Sequence, residues 1–412
     1  MLLKFNLIYE LTLEQYKMRH DTNITIYLVI FFSLLFFIQC SEKDETPSGG
    51  GQVTDDPFYF GVDLSYVNQI LDHGGIYKDG GARRTPYRIF LDNGADLVRL
   101  RLWHNPTWTK DVYGNDGQQL YNDLKDVEQA IALSKQHEMQ VLLDFHYSDT
   151  WADPDTQEIP AAWINITDPD ILEDSVYNYT FKTLKYLDKK GLLPDFVQIG
   201  NEINCGMLYS NAPTGFPTCN ACDGQWKELG DVINSAIKAV RDVSSETKII
   251  LHVADPKNVE WWFDNVQAIG LVTDYDIIGF SYYPLWHTTV SIPKLSDNIS
   301  NFKSKYGKEV MILETAYPWT KEGNDNYSNI FGDQDPVPGF EFTPVGQFEI
   351  LKKLTEEVKA GGGLGIIYWE PAWISSDMKD LWGTGSAWEN CALFDFNGET
   401  NLGIDFISTN YQ

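Results

Sequence analysis

Short apolar runs recur along this chain at 58–64, 97–102, 140–145, 196–199, 248–253, 276–280, 309–313 and 365–369. Each is too short for a typical helix and too evenly apolar for a strand with one wet face, so each reads as a strand covered on both sides. Between most of them lie longer segments in which apolar residues return every three to four positions: 123–137, 170–189, 226–243, 258–269, 293–306 and 343–360. That spacing predicts helices. Strand alternating with helix predicts a parallel sheet, and a count of eight strands predicts that the sheet closes into a (β/α)8 TIM barrel forming a single catalytic domain. No glycine-rich phosphate fingerprint follows the first run, which argues against a dinucleotide-binding sheet. After Trp369 the helical period fades, and a long last loop is expected instead of a regular final helix.

The chain before residue 58 has a different pattern. Positions 24–38 are nearly all apolar, too short to span a bilayer comfortably, and lead into Gln39-Cys40 and the polar run that begins at Ser41. Residues 1–40 are therefore expected to be an export segment with Cys40 as a lipidated first residue. The charged start such a leader needs is supplied by Met18-Arg19-His20, not by residues 1–17. Residues 41–57, rich in Gly, Ser, Pro and Asp from Thr46 onward, are expected to be a flexible tether, with the barrel occupying 58–412. One acyl chain anchors weakly, so firm attachment to a cell surface or outer membrane needs more than one.

Composition narrows the partners. With 31 basic and 59 acidic side chains, the formal charge of -28 opposes nucleic acid and anionic lipid, leaving Cys40 as the only expected link to a membrane. A neutral polymer meets no such barrier. The 13 Trp, 22 Tyr and 22 Phe include several Trp in loop-like stretches, and aromatic faces suit the C–H patches of sugar rings. Four cysteines follow Cys40. Cys219 and Cys222 have zinc-ligand spacing, but the exported context favours a disulfide, and pairing within the 205–222 loop is expected over a bridge from Cys205 to Cys391. Free buried thiols are the remaining alternative. A monomer is expected.

Following each strand to its carboxyl end gathers the chemistry: Arg99 and Arg101 from the second, Asp144 and His146 from the third, Asn201 and Glu202 from the fourth, Tyr283 from the sixth, Glu314 from the seventh, and Trp369 and Glu370 from the eighth. A barrel builds its active site at that end. Two carboxylates held about 5 Å apart hydrolyse a glycosidic bond, one protonating the leaving oxygen and the other attacking the anomeric carbon. Arg99 and Arg101 share inward parity and would keep a nucleophilic carboxylate ionised. Asn201 would take a sugar hydroxyl, Tyr283 would donate to Glu314, and His146 would reach either carboxylate or the sugar.

Five segments make the likeness specific: Val98-Arg-Leu-Arg-Leu-Trp103, Asp144-Phe-His-Tyr-Ser-Asp-Thr-Trp-Ala-Asp-Pro154, Gly200-Asn-Glu202, Glu314-Thr-Ala-Tyr-Pro-Trp319 and Tyr368-Trp-Glu-Pro-Ala-Trp373. In these the chain resembles glycoside hydrolase family 53, the arabinogalactan endo-β-1,4-galactanases, over nearly all of 58–400. The resemblance implies a (β/α)8 barrel, a retaining double displacement, Glu202 as acid/base and Glu314 as nucleophile. It also implies β-1,4-galactan as the polysaccharide bound, with Trp151 and Trp319 among the residues that hold it. No cofactor is expected. Some bacterial members carry calcium near the last loops, yet Asp325, Asp333 and Asp335 show no regular ligand spacing. The chain departs from the family pattern at 204–209 and in a cysteine-bearing insertion over 210–225. Two other readings are a related glycanase acting on mannan, xylan or cellulose, and a surface glycan-binding lipoprotein that does not cut.

Overall fold

The computed structural model describes residues 57–411, so the expected export segment, Cys40 and nearly all of the tether lie outside the described residues. Eight strands close into a parallel barrel: β1 (Tyr59–Asp63), β2 (Leu97–Leu102), β3 (Gln140–Phe145), β4 (Phe196–Ile199), β5 (Lys248–Ala254), β6 (Ile277–Ser281), β7 (Glu309–Thr315) and β8 (Gly365–Tyr368). Closure comes from β1, which pairs with both β8 and β2, opposing Gly61 to Ile367 and to Leu97. A Cβ on Gly61 would lie 2.6 Å from the Ile367 side chain, so the seam needs a residue without one.

The long helices fall where the periodicity places them: α3 (Leu124–Gln136), α4 (Pro169–Asp188), α5 (Trp226–Val243), α6 (Val259–Ala268), α7 (Leu295–Tyr306) and α8 (Pro344–Ala360). Their starts are chemical. Asp123, Asp168 and Thr343 each accept a hydrogen bond from a first-turn amide, and α4 and α8 carry proline in that turn, where its missing N–H leaves no bond unmade. The sequence pattern did not show α1 (Val67–Asp72) or α2 (Pro86–Asp92), which are too short to register a period. After β8 the chain runs as the expected long loop and ends in a short 3-10 helix, Leu402–Phe406, packed on α8. Among the described residues no helix is long and apolar enough to cross a membrane.

Inside the barrel, Leu97, Leu142, Phe196, Ile250, Ile277, Met311, Leu313 and Ile367 form a separate apolar plug. It floors the barrel below the strands' carboxyl ends. What rests on that floor is polar.

Candidate active site

Alternation along β2 turns Leu97, Arg99 and Arg101 to the same side, so a guanidinium stands directly above the plug. Arg99 is 1% exposed and its donors are fully committed. Nη1 lies 2.9 Å from Asp63 and 2.9 Å from Glu314, and Nη2 lies 2.8 Å from Asp144. Nη2 also donates to Asn201 Oδ1 at 2.7 Å, and Nε to Gln198 Oε1 at 3.1 Å. Five strands are thereby tied through one cation. Buried charge is costly unless paired in this way, so removing the cation would leave three carboxylates without their shared counterion.

Glu314 reaches the mouth through a fault in its strand. Met311 and Leu313 already face the plug, so regular alternation would turn Glu314 toward the helices. The pairing of β7 with β6 and with β8 shifts register at this point, a β-bulge that re-aims the side chain. Its Oε2 then accepts from the Tyr283 hydroxyl at 2.8 Å. Glu202 follows β4 with φ of 45°, a left-handed conformation that a glutamate adopts only at a cost of about 1 kcal/mol or more. Gly200, at φ of 76°, turns the chain to reach it. One carboxylate oxygen from each glutamate and a nitrogen of His252 all lie within 4.8 Å of one another.

That separation fits a carboxylate pair acting across one anomeric carbon. Such clusters also bind metals, but both His252 nitrogens are engaged by hydrogen bonds, leaving no free lone pair for an ion. The two carboxyls are tuned apart. Burial, and then the charge of Glu314, pushes Glu202 well above the ordinary carboxylate range. Burial also raises Glu314, but Arg99 and the Tyr283 hydroxyl pull it back. Both therefore stand above the ordinary carboxylate range, and of the two Glu202 is pushed the further toward holding a proton.

Above them opens a cleft of about 1120 Å³ lined by Trp108, Trp151, Trp286, Trp369, Trp373, Trp382 and Trp388, seven of the chain's 13 tryptophans. Of the residues expected at the site, Glu202, Glu314, Asn201, Tyr283, Trp151 and Trp369 line this cleft. Arg99, Arg101, Asp144, His146 and Glu370 lie beneath it, and so position other groups without touching the space themselves. His146 departs from the expectation that it reaches Glu202, Glu314 or a sugar hydroxyl: it is 3% exposed and absent from the cleft wall, with Nε2 3.0 Å from Asp144 and Nδ1 facing the Trp103 and Ala152 N–H groups. Arg101 pairs with Glu370 at 3.2 Å rather than with Glu314. Its guanidinium sits 4.0 Å from the Trp151 ring centre, 4.5 Å from Tyr66 and 4.8 Å from Trp103, fixing Trp151 from below.

Trp319 is a correction too. It is absent from the cleft wall; its indole N–H donates to the Glu389 carbonyl and its ring packs on Phe396 at 4.8 Å. It fastens the β7 loop to the β8 loop. Asp325 is likewise spent on the backbone, accepting from the Tyr327 and Ser386 amides, and Asp325, Asp333 and Asp335 form no cluster of ligands among the described residues. Cys205 and Cys222 form a disulfide within the expected loop, while Cys219 and Cys391 are buried free thiols, which excludes zinc at the 219/222 pair.

The sequence reasoning passed over Asp63, Gln198, His252 and Ser281. All four are buried polar residues on barrel strands. A polar residue inside an otherwise apolar run was the available signal.

Comparison with known proteins agrees with this geometry. The profile described as Glycosyl hydrolase family 53 matches residues 59–407. An "Arabinogalactan endo-beta-1,4-galactanase" of Cellvibrio japonicus (strain Ueda107) is 44% identical over 88% of this chain and 93% of its own length. The "Endo-beta-1,4-galactanase" of Bacillus subtilis (strain 168) is 31% identical over 83% of each chain. Among solved structures, the "Ignisphaera aggregans GH53 catalytic domain" superposes with a TM-score of 0.75 at 34% identity, covering 88% of this chain and 98% of that one. The chain is a glycosidase on a (β/α)8 barrel and belongs to glycosyl hydrolase family 53.

Proposed function

We propose that the protein hydrolyses internal β-1,4-galactosidic bonds of galactan and arabinogalactan with retention of configuration. Glu202 serves as general acid and then general base, and Glu314 as nucleophile. The observation that carries this reading is the pair itself: two buried carboxyls within 4.8 Å, one pushed to hold a proton and the other gripped by Arg99 and Tyr283. In the first step Glu202 protonates the departing glycosidic oxygen while Glu314 bonds to C1. Loss of the Glu314 charge then weakens the repulsion that kept Glu202 protonated, so Glu202 becomes able to take a proton from the incoming water. No step calls for a cofactor.

The substrate is supported by the relatives' activities and by the cleft. Trp151 and Trp369 offer flat faces beside the carboxylates, and Asn201 stands next to Glu202 where a sugar 2-hydroxyl would lie. The enzyme acts as a monomer, exported through residues 1–40 and tethered by lipid at Cys40 through the 41–57 segment. A panel of linear galactan, mannan, xylan and cellulose tests the substrate. Rapid release of reducing ends from galactan, with the β-anomer appearing first by NMR, is expected; preference for another polymer, or the α-anomer first, contradicts it.

A further inference from the structure

Behind Glu202 runs a line of hydrogen bonds that the two-carboxylate scheme does not use. Ser281 Oγ lies 2.5 Å from Glu202 Oε1, and His252 Nε2 lies 2.9 Å from the same Oγ. Ser281 and His252 are both 0% exposed, so neither can exchange partners with solvent.

The direction of this line follows from counting donors. The backbone N–H of Glu202 points at His252 Nδ1 at 3.4 Å, while Gln198 Nε2, 3.1 Å from the same nitrogen, divides its two hydrogens among that nitrogen, Gly200 O at 2.9 Å and Asn201 Oδ1 at 3.1 Å. Asn201 Oδ1 also approaches it, at 2.9 Å, but that oxygen already receives the charged Arg99 Nη2 at 2.7 Å, the shorter and stronger bond. Burial, then the Arg99 charge, holds His252 well below the usual imidazole range, so the ring is neutral and carries one proton. With Nδ1 accepting, that proton is on Nε2 and is donated to Ser281 Oγ. The serine has a single hydrogen left, and Glu202 Oε1 is its acceptor.

We propose that Ser281, held by His252, is a positioning residue for the acid/base carboxyl: it donates permanently to Glu202 Oε1, leaving Oε2 as the only oxygen that can carry the catalytic proton into the cleft. This rests on the assignment of Glu202 as acid/base. The donated bond also stabilises the carboxylate left when the proton departs, opposing the upward push of burial and of Glu314. Other charges around Glu202 are Asp153 and Arg99, with the Tyr283 hydroxyl nearby. His146, after β3, lies within electrostatic reach of His252, and His287, near Asp255 and Lys257, adjoins the Ser281 backbone. All of these stay in place when only the serine hydroxyl is removed.

The experiment compares Ser281→Ala with the parent enzyme on galactan and on a 2,4-dinitrophenyl β-galactobioside, whose leaving group needs no proton. On galactan, kcat/KM is expected to fall about 10- to 100-fold and its alkaline limb to move up by about one pH unit. On the activated glycoside, kcat/KM is expected to stay within about threefold, which also shows that the variant's site is folded. Parallel losses on both substrates, or a limb that stays put or moves to lower pH, would overturn the proposal. Glu202→Ala in parallel separates the two levels: it should cleave the activated glycoside to a trapped intermediate that azide releases. If azide releases nothing, the assignment of Glu202 itself falls, whatever Ser281 does.

Discussion

The same eight strands build two unlike halves of one barrel. Toward their amino ends the interior is Leu97, Leu142, Phe196, Ile250, Ile277, Met311, Leu313 and Ile367, packed dry and without a polar contact to satisfy. Toward their carboxyl ends it is Asp63, Arg99, Asp144, Gln198, His252, Ser281 and Glu314, every one bonded to another. Left-handed φ at non-glycine residues occurs at both ends: Tyr147, Glu202, Asp255 and Glu370 follow β3, β4, β5 and β8 at the mouth, whereas Glu138 and Leu271 lie in the helix-to-strand connections that precede β3 and β6. The floor stabilises the fold, and the mouth holds buried charges that the fold tolerates because of that floor.

The sharpest way to break this contrast is Arg99→Ala. It strips the shared counterion from Asp63, Asp144 and Glu314 at once, and is expected to cost about 3–5 kcal/mol of stability and at least about 10³-fold in kcat/KM. Calorimetry and galactan kinetics check it; a variant that keeps its Tm would mean the three carboxylates do not depend on the cation. Next in size, Leu142→Ala opens a cavity in the floor and is expected to cost about 2–4 kcal/mol while leaving kcat/KM within about twofold at temperatures where the variant is folded. A large activity loss there would show that floor and mouth are not separable.

The smallest effect concerns Glu370. Burial first, then the Asp63 charge, pushes its carboxyl up to about 8, and its Oε2 meets no donor among the described residues. The folded protein therefore binds this proton more tightly than the unfolded chain, where a glutamate titrates near ~4.3. Its contribution to stability is complete below that pH and is lost as pH rises toward about 8. Glu370→Gln should flatten the fall in Tm across that window by an amount equivalent to about 1 kcal/mol or more. Curves that stay parallel would show that Arg101 keeps Glu370 ionised throughout.

Much of this was legible in residue order alone. Eight apolar runs and six helical periods are consequences of burial, and burial acts locally enough to be read. Glu202 and Glu314 stood out because each closes an apolar run with a charge. What was not legible depended on geometry set elsewhere. The bulge that turns Glu314 inward arises from unequal pairing of β7 with β6 and β8, which residue types do not announce. Trp319 and Trp151 belong to equally aromatic segments, yet one ring packs on Phe396 and the other over Arg101 in the cleft wall, since the path of a loop decides which face it shows. His252 stands as a lone polar residue between Leu251 and Val253, which marks it as buried and bonded, but the partners that give it a role come from β4 and β6 and are set by the fold.

The central claim is that Glu314 is the bare carboxylate and Glu202 the protonated one. A 2-deoxy-2-fluoro galactobioside with an activated leaving group forms its glycosyl-enzyme but releases it slowly, so digestion and mass spectrometry locate the bond. One glycosyl group on the peptide containing Glu314 is the result predicted here. A label on Glu202, or no label from an enzyme that turns over galactan, would contradict it.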